Sequence, residues 1–397
     1  MQYRKSQLLF CNIPVKPPSI LQLEVTKNCN FACIMCHKGQ SILDGRDFNR
    51  NDLSDIARQQ IRPVFPYLKK AILFGDGEPM IYKYFWELIE EIRNASPECA
   101  IDFINNGSMI HDQNIERLFK YKISSMGLSI GGAKAESHNY CRPPGMFDKI
   151  IDNYKNLYNE KQKRNTFEPY IRILMVVMKC NYKEISDLIE LAHTLGSYHV
   201  ELQKLFVTGS AVASEVVKDE DIEPYLKLAS DVAKSYKIGF SHYPINSKNQ
   251  YFSNIIKYKI NDPIFRNHFE SITDHGYCKY QQPWNTVYVL HDGKVVPDCH
   301  WWFSKNNLEL NICGTLDEKT DILDIWNGSN YEKIRKKISS GKILPQCRGC
   351  GLAGGVIDEY RSEATDHVNP NQEYNVKPSD IPDQTIRNWF IKSLPVI

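Results

Sequence analysis

The stretch from Leu21 to Cys36, LQLEVTKNCNFACIMC, joins a short apolar strand to three closely set cysteines. Cys29, Cys33 and Cys36 are spaced C-x3-C-x2-C, and no further cysteine follows until Cys99. A closed four-iron cluster takes four thiolates. Three on one short loop leave one iron corner without a protein ligand, the place where a small molecule can bind and be cleaved. The competing reading is a zinc knuckle. Zinc prefers C-x2-C pairs closed by a second pair or by His, and His37 directly abuts Cys36, poorly placed to complete a tetrahedron with it.

Outward from this stretch, residues 20 to about 243 alternate short apolar runs with helical patterns. Strands are predicted at 21–25, 71–74, 101–104, 127–130, 171–178 and 199–206. Helical stripes lie between them: Leu88, Ile89 and Ile92; Ile150, Ile151, Tyr154, Leu157 and Tyr158; Ile185, Leu188, Ile189, Ala192 and Leu195, closed by Gly196 as a C-cap. A last helix carries Ile222, Leu226, Ala229 and Ala233. Repeated strand–helix units mean an α/β fold with parallel strands. They fit a partial barrel or a doubly wound sheet, and periodicity does not choose between these. From Cys278 the texture changes to an alternating strand, an Asp292-Gly293 turn and a second strand, which predicts a β-hairpin. A helix is expected over 322–339 and a short one over 386–394. The expected organisation is an N-terminal segment 1–19, a barrel 20–243, a connector 244–277, a small cysteine-bearing domain 278–352 and a tail 353–397.

Composition narrows the function classes. Of 397 residues, 42% are apolar and 24% charged, ordinary for a globular protein. Lys plus Arg is 49 against 47 Asp plus Glu, a formal charge of +2, which argues against a broad nucleic-acid footprint. The one basic run, Lys155 to Arg164, follows helical spacing and reads as a solvated face. No signal peptide and no apolar run of membrane-spanning length are apparent, so no membrane partner and a cytoplasmic location are expected. In that compartment twelve cysteines are better metal ligands than disulfide partners.

The second strand runs into Gly75-Asp76-Gly77-Glu78-Pro79. Active sites of βα folds gather at the carboxyl ends of strands. Glycines there let the backbone approach a ligand, and Glu78 can accept from an ammonium group. Taken alone, this is equally a plain βα turn.

Together these residues resemble the radical S-adenosylmethionine (SAM) superfamily. Its C-x3-C-x-Φ-C hallmark matches Cys29, Cys33, Met35 and Cys36. Its GGEP segment is similar to Gly75, Gly77, Glu78 and Pro79. IDFINNG, with Asn106, resembles its third strand. SIGG keeps Ser129 of a ribose-binding SxDG, with Gly131 in place of Asp, and Arg142 matches an arginine near the SAM carboxylate. The resemblance implies a partial (β/α)6 TIM-like barrel. It implies a [4Fe-4S] cluster whose open iron chelates SAM, an electron donor of flavodoxin or ferredoxin type, and reductive cleavage of SAM to a 5′-deoxyadenosyl radical that abstracts a substrate hydrogen.

Cys278, Cys299, Cys347 and Cys350 form a second set, C-x20-C-x47-C-x2-C. Spacing alone favours a zinc ribbon. The surrounding sequence resembles the SPASM and twitch extensions of radical SAM enzymes, and with no cysteine after Cys350 it implies the shorter twitch form with one auxiliary [4Fe-4S] cluster. The layout is similar to that of 2-deoxy-scyllo-inosamine dehydrogenases, with Gly293 one residue farther from Cys299 than usual. Cys11, Cys99, Cys180 and Cys313 read as small structural residues. Cys141 reads either as a hydrogen donor beside Arg142 or as a chance neighbour. Glu24 and Thr26 share one face of the first strand, and Glu201 and Gln203 one face of the sixth. Facing inward, such groups, Gln203 among them, are candidates for holding SAM or substrate; facing outward, they are candidates for capping helices. Arg172, Lys204 and His242 are the candidates for removing a proton beside a radical centre, and Trp301 and Trp302 for walling the auxiliary cluster.

The resemblance therefore implies an oxidoreductase-type enzyme. It acts on a small polar substrate such as a sugar, aminocyclitol or amino-acid derivative, oxidised or epimerised with the auxiliary cluster as electron acceptor. The alternative is oxidation, cross-linking or epimerisation of a ribosomally made peptide. Only 19 residues precede the first strand, which weighs toward the small substrate. The rival from another class is a zinc-binding interaction module. After anaerobic reconstitution the protein should be brown with about eight irons per chain, from two four-iron clusters, and Cys29→Ala should abolish SAM cleavage. A colourless, zinc-loaded protein, or cleavage surviving that change, would overturn the reading.

Overall fold

In the computed structural model, residues 15–43, 45, 51–207, 210–242, 282–297, 312–339, 342–343 and 374–375 are described. Cys278, Cys299, Cys347, Cys350, Trp301, Trp302, the segment 244–277 and the helix expected over 386–394 lie outside them. Two compact units emerge: residues 23–52 with 70–258, and residues 1–22 with 53–69 and 259–397.

β1 (Ile20–Leu23) runs up to the boundary between the units and leads into the cysteine loop. In the larger unit, β2 (Lys70–Ile72), β3 (Ala100–Asn105), β4 (Ser125–Ile130), β5 (Tyr170–Val177), β6 (His199–Lys204) and β7 (Gly239–His242) pair in that order, every ladder parallel. A short helix, α1 (His37–Leu43), follows the cysteine loop. α2 (Asp55–Gln60) falls in the smaller unit. The crossovers of the larger unit are α3 (Phe85–Ala95), α4 (Asp112–Lys120), the pair α5 (Ala135–Cys141) and α6 (Phe147–Lys163), α7 (Ile185–Thr194) and α8 (Asp219–Tyr236).

Strictly sequential strand order decides between the two architectures left open by periodicity. Parallel crossovers share one hand, so unreversed order keeps the helices on one face and leaves the other face as a lumen. A doubly wound sheet would reverse its order partway. The fold is accordingly a partial barrel. The helical stripes face the sheet: Leu88, Ile89, Ile92, Ile150, Tyr154, Leu157, Ile185, Leu188 and Ile189 are fully buried. Gly196 closes α7 with φ +63°. β7 is a strand that hydropathy does not reveal, because GFSH contains no β-branched residue.

In the smaller unit, β8 (Thr286–Val289) and β9 (Lys294–Val296) form the expected antiparallel hairpin, turning at Asp292-Gly293 with Gly293 at φ +83°. The inserted residues 53–69 pack here: Ser54 N–H donates to His291 O and Gln60 Nε2 to Asp317 O. The helix expected over 322–339 is two, α9 (Ile322–Trp326) and α10 (Ser329–Ser339), divided at Asn327-Gly328. Trp326 and Tyr331 are fully buried, and the Arg335 guanidinium stacks 4.3 Å from the Trp326 ring. Among the described residues, no helix is long and apolar enough to cross a membrane.

The lumen of the barrel is polar near the amino ends of the strands. Arg172 reaches across β4 to Asp102 on β3, at 2.9 and 3.1 Å, and Lys70 approaches the same carboxylate at 3.5 Å. Gly127 stands beside Arg172 in the ladder, between it and β3. A Cβ there would lie 2.5 Å from Leu174 and 3.1 Å from Ile104. Burial pushes the Asp102 carboxyl up, but Arg172 and Lys70 more than offset it and hold it below the ordinary carboxylate range. A depressed folded value contributes stability above the unfolded range, and that contribution is lost as pH falls through the folded value. Asp102→Asn should cost about 3–5 kcal/mol at neutral pH, because it removes the buried carboxylate that Arg172 and Lys70 share. Denaturant titration should show the gap to wild type closing under acid conditions.

Candidate functional site

The cysteine loop is shaped by its own backbone. Cys36 N–H donates to Cys33 O (3.1 Å), and Gln40 N–H to Cys36 O (2.8 Å) as α1 begins. α1 lies directly on the loop: a Cβ at Gly39 would sit 1.9 Å from Cys33 O. Gln40, fully buried, donates its side chain to the carbonyls of Met35 and Phe206. Lys38, also buried, donates to Cys29 O at 3.1 Å.

Each thiol faces a different donor. Phe31 N–H points at Cys29 Sγ (3.4 Å) and Arg142 Nη1 at Cys33 Sγ (3.6 Å), while the His37 side chain hydrogen-bonds Cys36. Burial pushes Cys29 up to about 11 and raises Cys33, with Arg142 opposing in part. For Cys36 burial also raises, but His37 wins and the thiol lies below its ordinary value. Burial lowers His37, yet Asp76, 3.3 Å from Nε2, and Cys36 raise it to about 10.

The Gly75–Pro79 turn packs against this loop. Glu24 Oε1 accepts from Asp76 N–H (3.1 Å), and Glu78 N–H donates to Asn28 O (2.8 Å). A Cβ at Gly77 would lie 2.3 Å from Thr26 O and 2.4 Å from Asn28 O, and one at Gly75 2.4 Å from the Glu24 side chain. These glycines therefore admit a close approach of the chain's own residues. The Glu78 carboxylate accepts from Asn106 N–H (2.7 Å) and Met80 N–H (3.3 Å), the latter as the cap of the short helix opened by Pro79. Burial pushes Glu78 up to about 7 against these donors and Arg142. Its carboxylate ties the turn to the end of β3, in addition to any ammonium it accepts. Asn106 is bound to Asn30 (2.8 Å), immediately after Cys29, and accepts from Ser108.

Ser129 and Arg142 meet: Arg142 Nη2 donates to Ser129 Oγ at 2.7 Å. Arg142 is 7% exposed, and its Nε has no partner. His138 Nε2, fully buried on the helix that leads to Arg142, is likewise unpartnered, while its Nδ1 accepts from Gly131 N–H (3.3 Å). A buried guanidinium with an open donor, beside three thiols that each face a donor, fits an anionic cluster and a ligand carboxylate. Among the described residues, no three His, Cys, Asp or Glu side chains are grouped to hold a single metal ion.

The structure thus gathers Cys29, Cys33, Met35, Cys36, Gly75, Gly77, Glu78, Pro79, Asn106, Ser129 and Arg142 at the carboxyl ends of β1–β4. Three other candidates have partners outside this group. Arg172 belongs to the Asp102 network near the opposite ends of the strands, 4.0 Å from Glu201, where an ion-paired guanidinium has no proton to take up. Lys204 is exposed, 4.0 Å from Asp219. Gln203 is exposed and donates to Glu201 (3.2 Å). Sequence reasoning missed Gly39, Lys38, Gln40 and Asp52, the last accepting from Thr26 Oγ1 and Asn28 Nδ2. The legible signal was the Gly-Gln pair soon after Cys36; Asp52 carries none.

Family comparisons agree with this geometry. The radical SAM superfamily model matches residues 23–192, and the SPASM iron–sulfur cluster-binding domain model matches 278–351. The chain is a radical SAM protein with a SPASM domain: the first binds a [4Fe-4S] cluster and SAM, the second auxiliary iron–sulfur. It is similar to the tungsten-containing aldehyde ferredoxin oxidoreductase cofactor-modifying protein of Pyrococcus furiosus, 22% identical over 84% of this chain and 87% of that one. It is also similar to mycofactocin maturase MftC of Mycolicibacterium smegmatis, 26% identical over 45% of this chain and 43% of the relative. Its fold is that of Streptococcus suis SuiB bound to precursor peptide SuiA, with TM-score 0.57, 17% identity, and coverage of 84% of this chain and 70% of that one.

Gly39→Ala should deform the cysteine loop, since backbone cannot yield the space. The variant should bind up to four fewer irons per chain after reconstitution, read by iron assay, with the other cluster retained.

Proposed function

We propose that the chain is a radical SAM oxidoreductase acting on a polar substrate. Cys29, Cys33 and Cys36 would hold the SAM cluster, and Cys278, Cys299, Cys347 and Cys350 a single auxiliary cluster. When bound, these groups supply one-electron SAM cleavage, hydrogen abstraction and an electron acceptor for net oxidation. The observation that carries the reading is the buried Arg142 guanidinium, whose Nη1 and Nη2 reach Cys33 and Ser129 while its Nε has no protein acceptor.

The protein's part is positioning. Arg142 holds a carboxylate-bearing ligand on the β4 side, and its contact with Cys33 fixes that ligand relative to the cluster loop. Ser129 fixes the guanidinium plane. Glu78 and Asn106 brace the loop from β3, and Met35 covers it from the buried side. Gln40 anchors it to the far side of the barrel through Phe206 O. The first reading of the substrate is a small polar molecule, supported by the C-x20-C-x47-C-x2-C layout of Cys278, Cys299, Cys347 and Cys350, which resembles that of an aminocyclitol dehydrogenase. The second is a peptide, supported by the maturase among the relatives and by the precursor peptide held on the same fold in SuiB.

Arg142→Lys keeps the charge but loses the fork that spans Ser129 and Cys33. It should weaken SAM binding about tenfold or more, the loss of one charge-assisted hydrogen bond, measured by equilibrium dialysis of the cluster-loaded protein. Unchanged binding would sink the Arg142 assignment. To separate the substrates, the loaded enzyme would be given SAM, a reductant and deuterated cell extract divided by a size cut-off. Deuterium appearing in 5′-deoxyadenosine from the low-mass fraction supports the small substrate; from the peptide fraction, the second reading.

A further inference from the structure

Five cysteines stand outside the two ligand sets, and two of them meet. Cys141 Sγ and Cys180 Sγ lie 3.2 Å apart, although 39 residues separate them in the chain. Both are free thiols, Cys141 buried and Cys180 partly exposed. The Met178 thioether lies 3.9 Å from Cys141 Sγ. Two sulfurs at this separation need to close by only about 1 Å to reach the bond length of about 2.05 Å.

The pair's surroundings give that closure a consequence. Cys141 ends α5, and its carbonyl accepts from Ile34 N–H (3.0 Å), inside the cysteine loop. The next residue is Arg142, which contacts Cys33. The Cys141 side chain packs beside Gly131, just past the end of β4, where an added Cβ would lie 3.0 Å from the Cys141 Cβ. A shift of Cys141 toward Cys180 therefore pulls on the loop and on Arg142 together.

We propose that Cys141 and Cys180 form a redox-active dithiol, a site of thiol–disulfide exchange with low-molecular-weight disulfides, coupled to the cysteine loop through Cys141. Cys180, the accessible thiol, attacks the disulfide as its thiolate and expels one small thiol, leaving a mixed disulfide. Cys141 then attacks Cys180 Sγ and expels the second. Two electrons pass from the cysteine pair to the small disulfide, and the two cysteine protons leave with the two small thiols. The exchange itself stands apart from the proposed function; its effect on SAM cleavage rests on that reading.

The test uses cluster-loaded protein treated anaerobically with oxidised glutathione, alkylated, digested and analysed by mass spectrometry. A Cys141–Cys180 cross-linked peptide should appear and be reversed by dithiothreitol, with a loss of SAM cleavage that the same reductant restores. Cys180→Ser should prevent both, while Cys141→Ser should trap glutathione on Cys180. If wild-type protein yields no cross-link, or only a persistent glutathione adduct on Cys180, the dithiol is overturned. A reversible cross-link that leaves SAM cleavage unchanged overturns the coupling. An untreated enzyme that cleaves no SAM, yet forms the cross-link, counts against the proposed function and for the dithiol.

Discussion

Two backbones touch at the heart of this protein, and the site is organised around that contact. The turn Gly75–Pro79 lies so close to Thr26–Asn28 that no side chain fits at position 77. A peptide approach this tight needs glycine and satisfied amides on both sides. The Glu24 carboxylate and Asn28 carbonyl provide the acceptors. The cysteine loop is thereby set as a rigid extension of β1, braced laterally by α1 and from β3 by Asn106. Close packing of this kind transmits small displacements to neighbours, which is why the same scaffold both holds the thiols and registers a movement of Cys141.

Much of this was legible in the residues, for reasons that differ by region. The parallel units showed because each helix repeats its apolar stripe and each strand is a short apolar run. Leu88, Ile89 and Ile92 could be read as a buried face before any fold was known. The cysteine spacing declared its chemistry because ligands on one loop are fixed by covalent distance. Long-range partnerships carry no such signature. Nothing in the chain announces that Asp52 holds Thr26, or that Arg172 spends its charge on Asp102 across a glycine. Gly75 and Gly77 read as positions of close approach, and the Glu24 side chain and the Thr26 and Asn28 carbonyls approach them. β7 escaped because GFSH holds a single apolar residue, Phe240, and no apolar run, and its strand character comes from pairing with β6.

The charges in the barrel are sorted by depth. Asp102, Lys70 and Arg172 are paired near the amino ends of the strands, where burial makes an uncompensated ion costly. Arg142 keeps a buried donor, Nε, without a protein acceptor, and it lies at the end where the thiols are. The contrast separates a cation that stabilises the fold from one held ready for a ligand.

The Arg142–Cys33 contact joins residues 109 positions apart. The three cysteines are neighbours from the moment they are synthesised, but their electrostatic environment is assembled only after four strands have paired and α5 has docked. Contacts between distant residues form late, because the loop they close must first be ordered. A nascent chain can therefore present three thiols long before it presents a site. The electrostatic environment of the thiols is thus a property of the folded barrel, although the thiols themselves are neighbours in the unfolded chain.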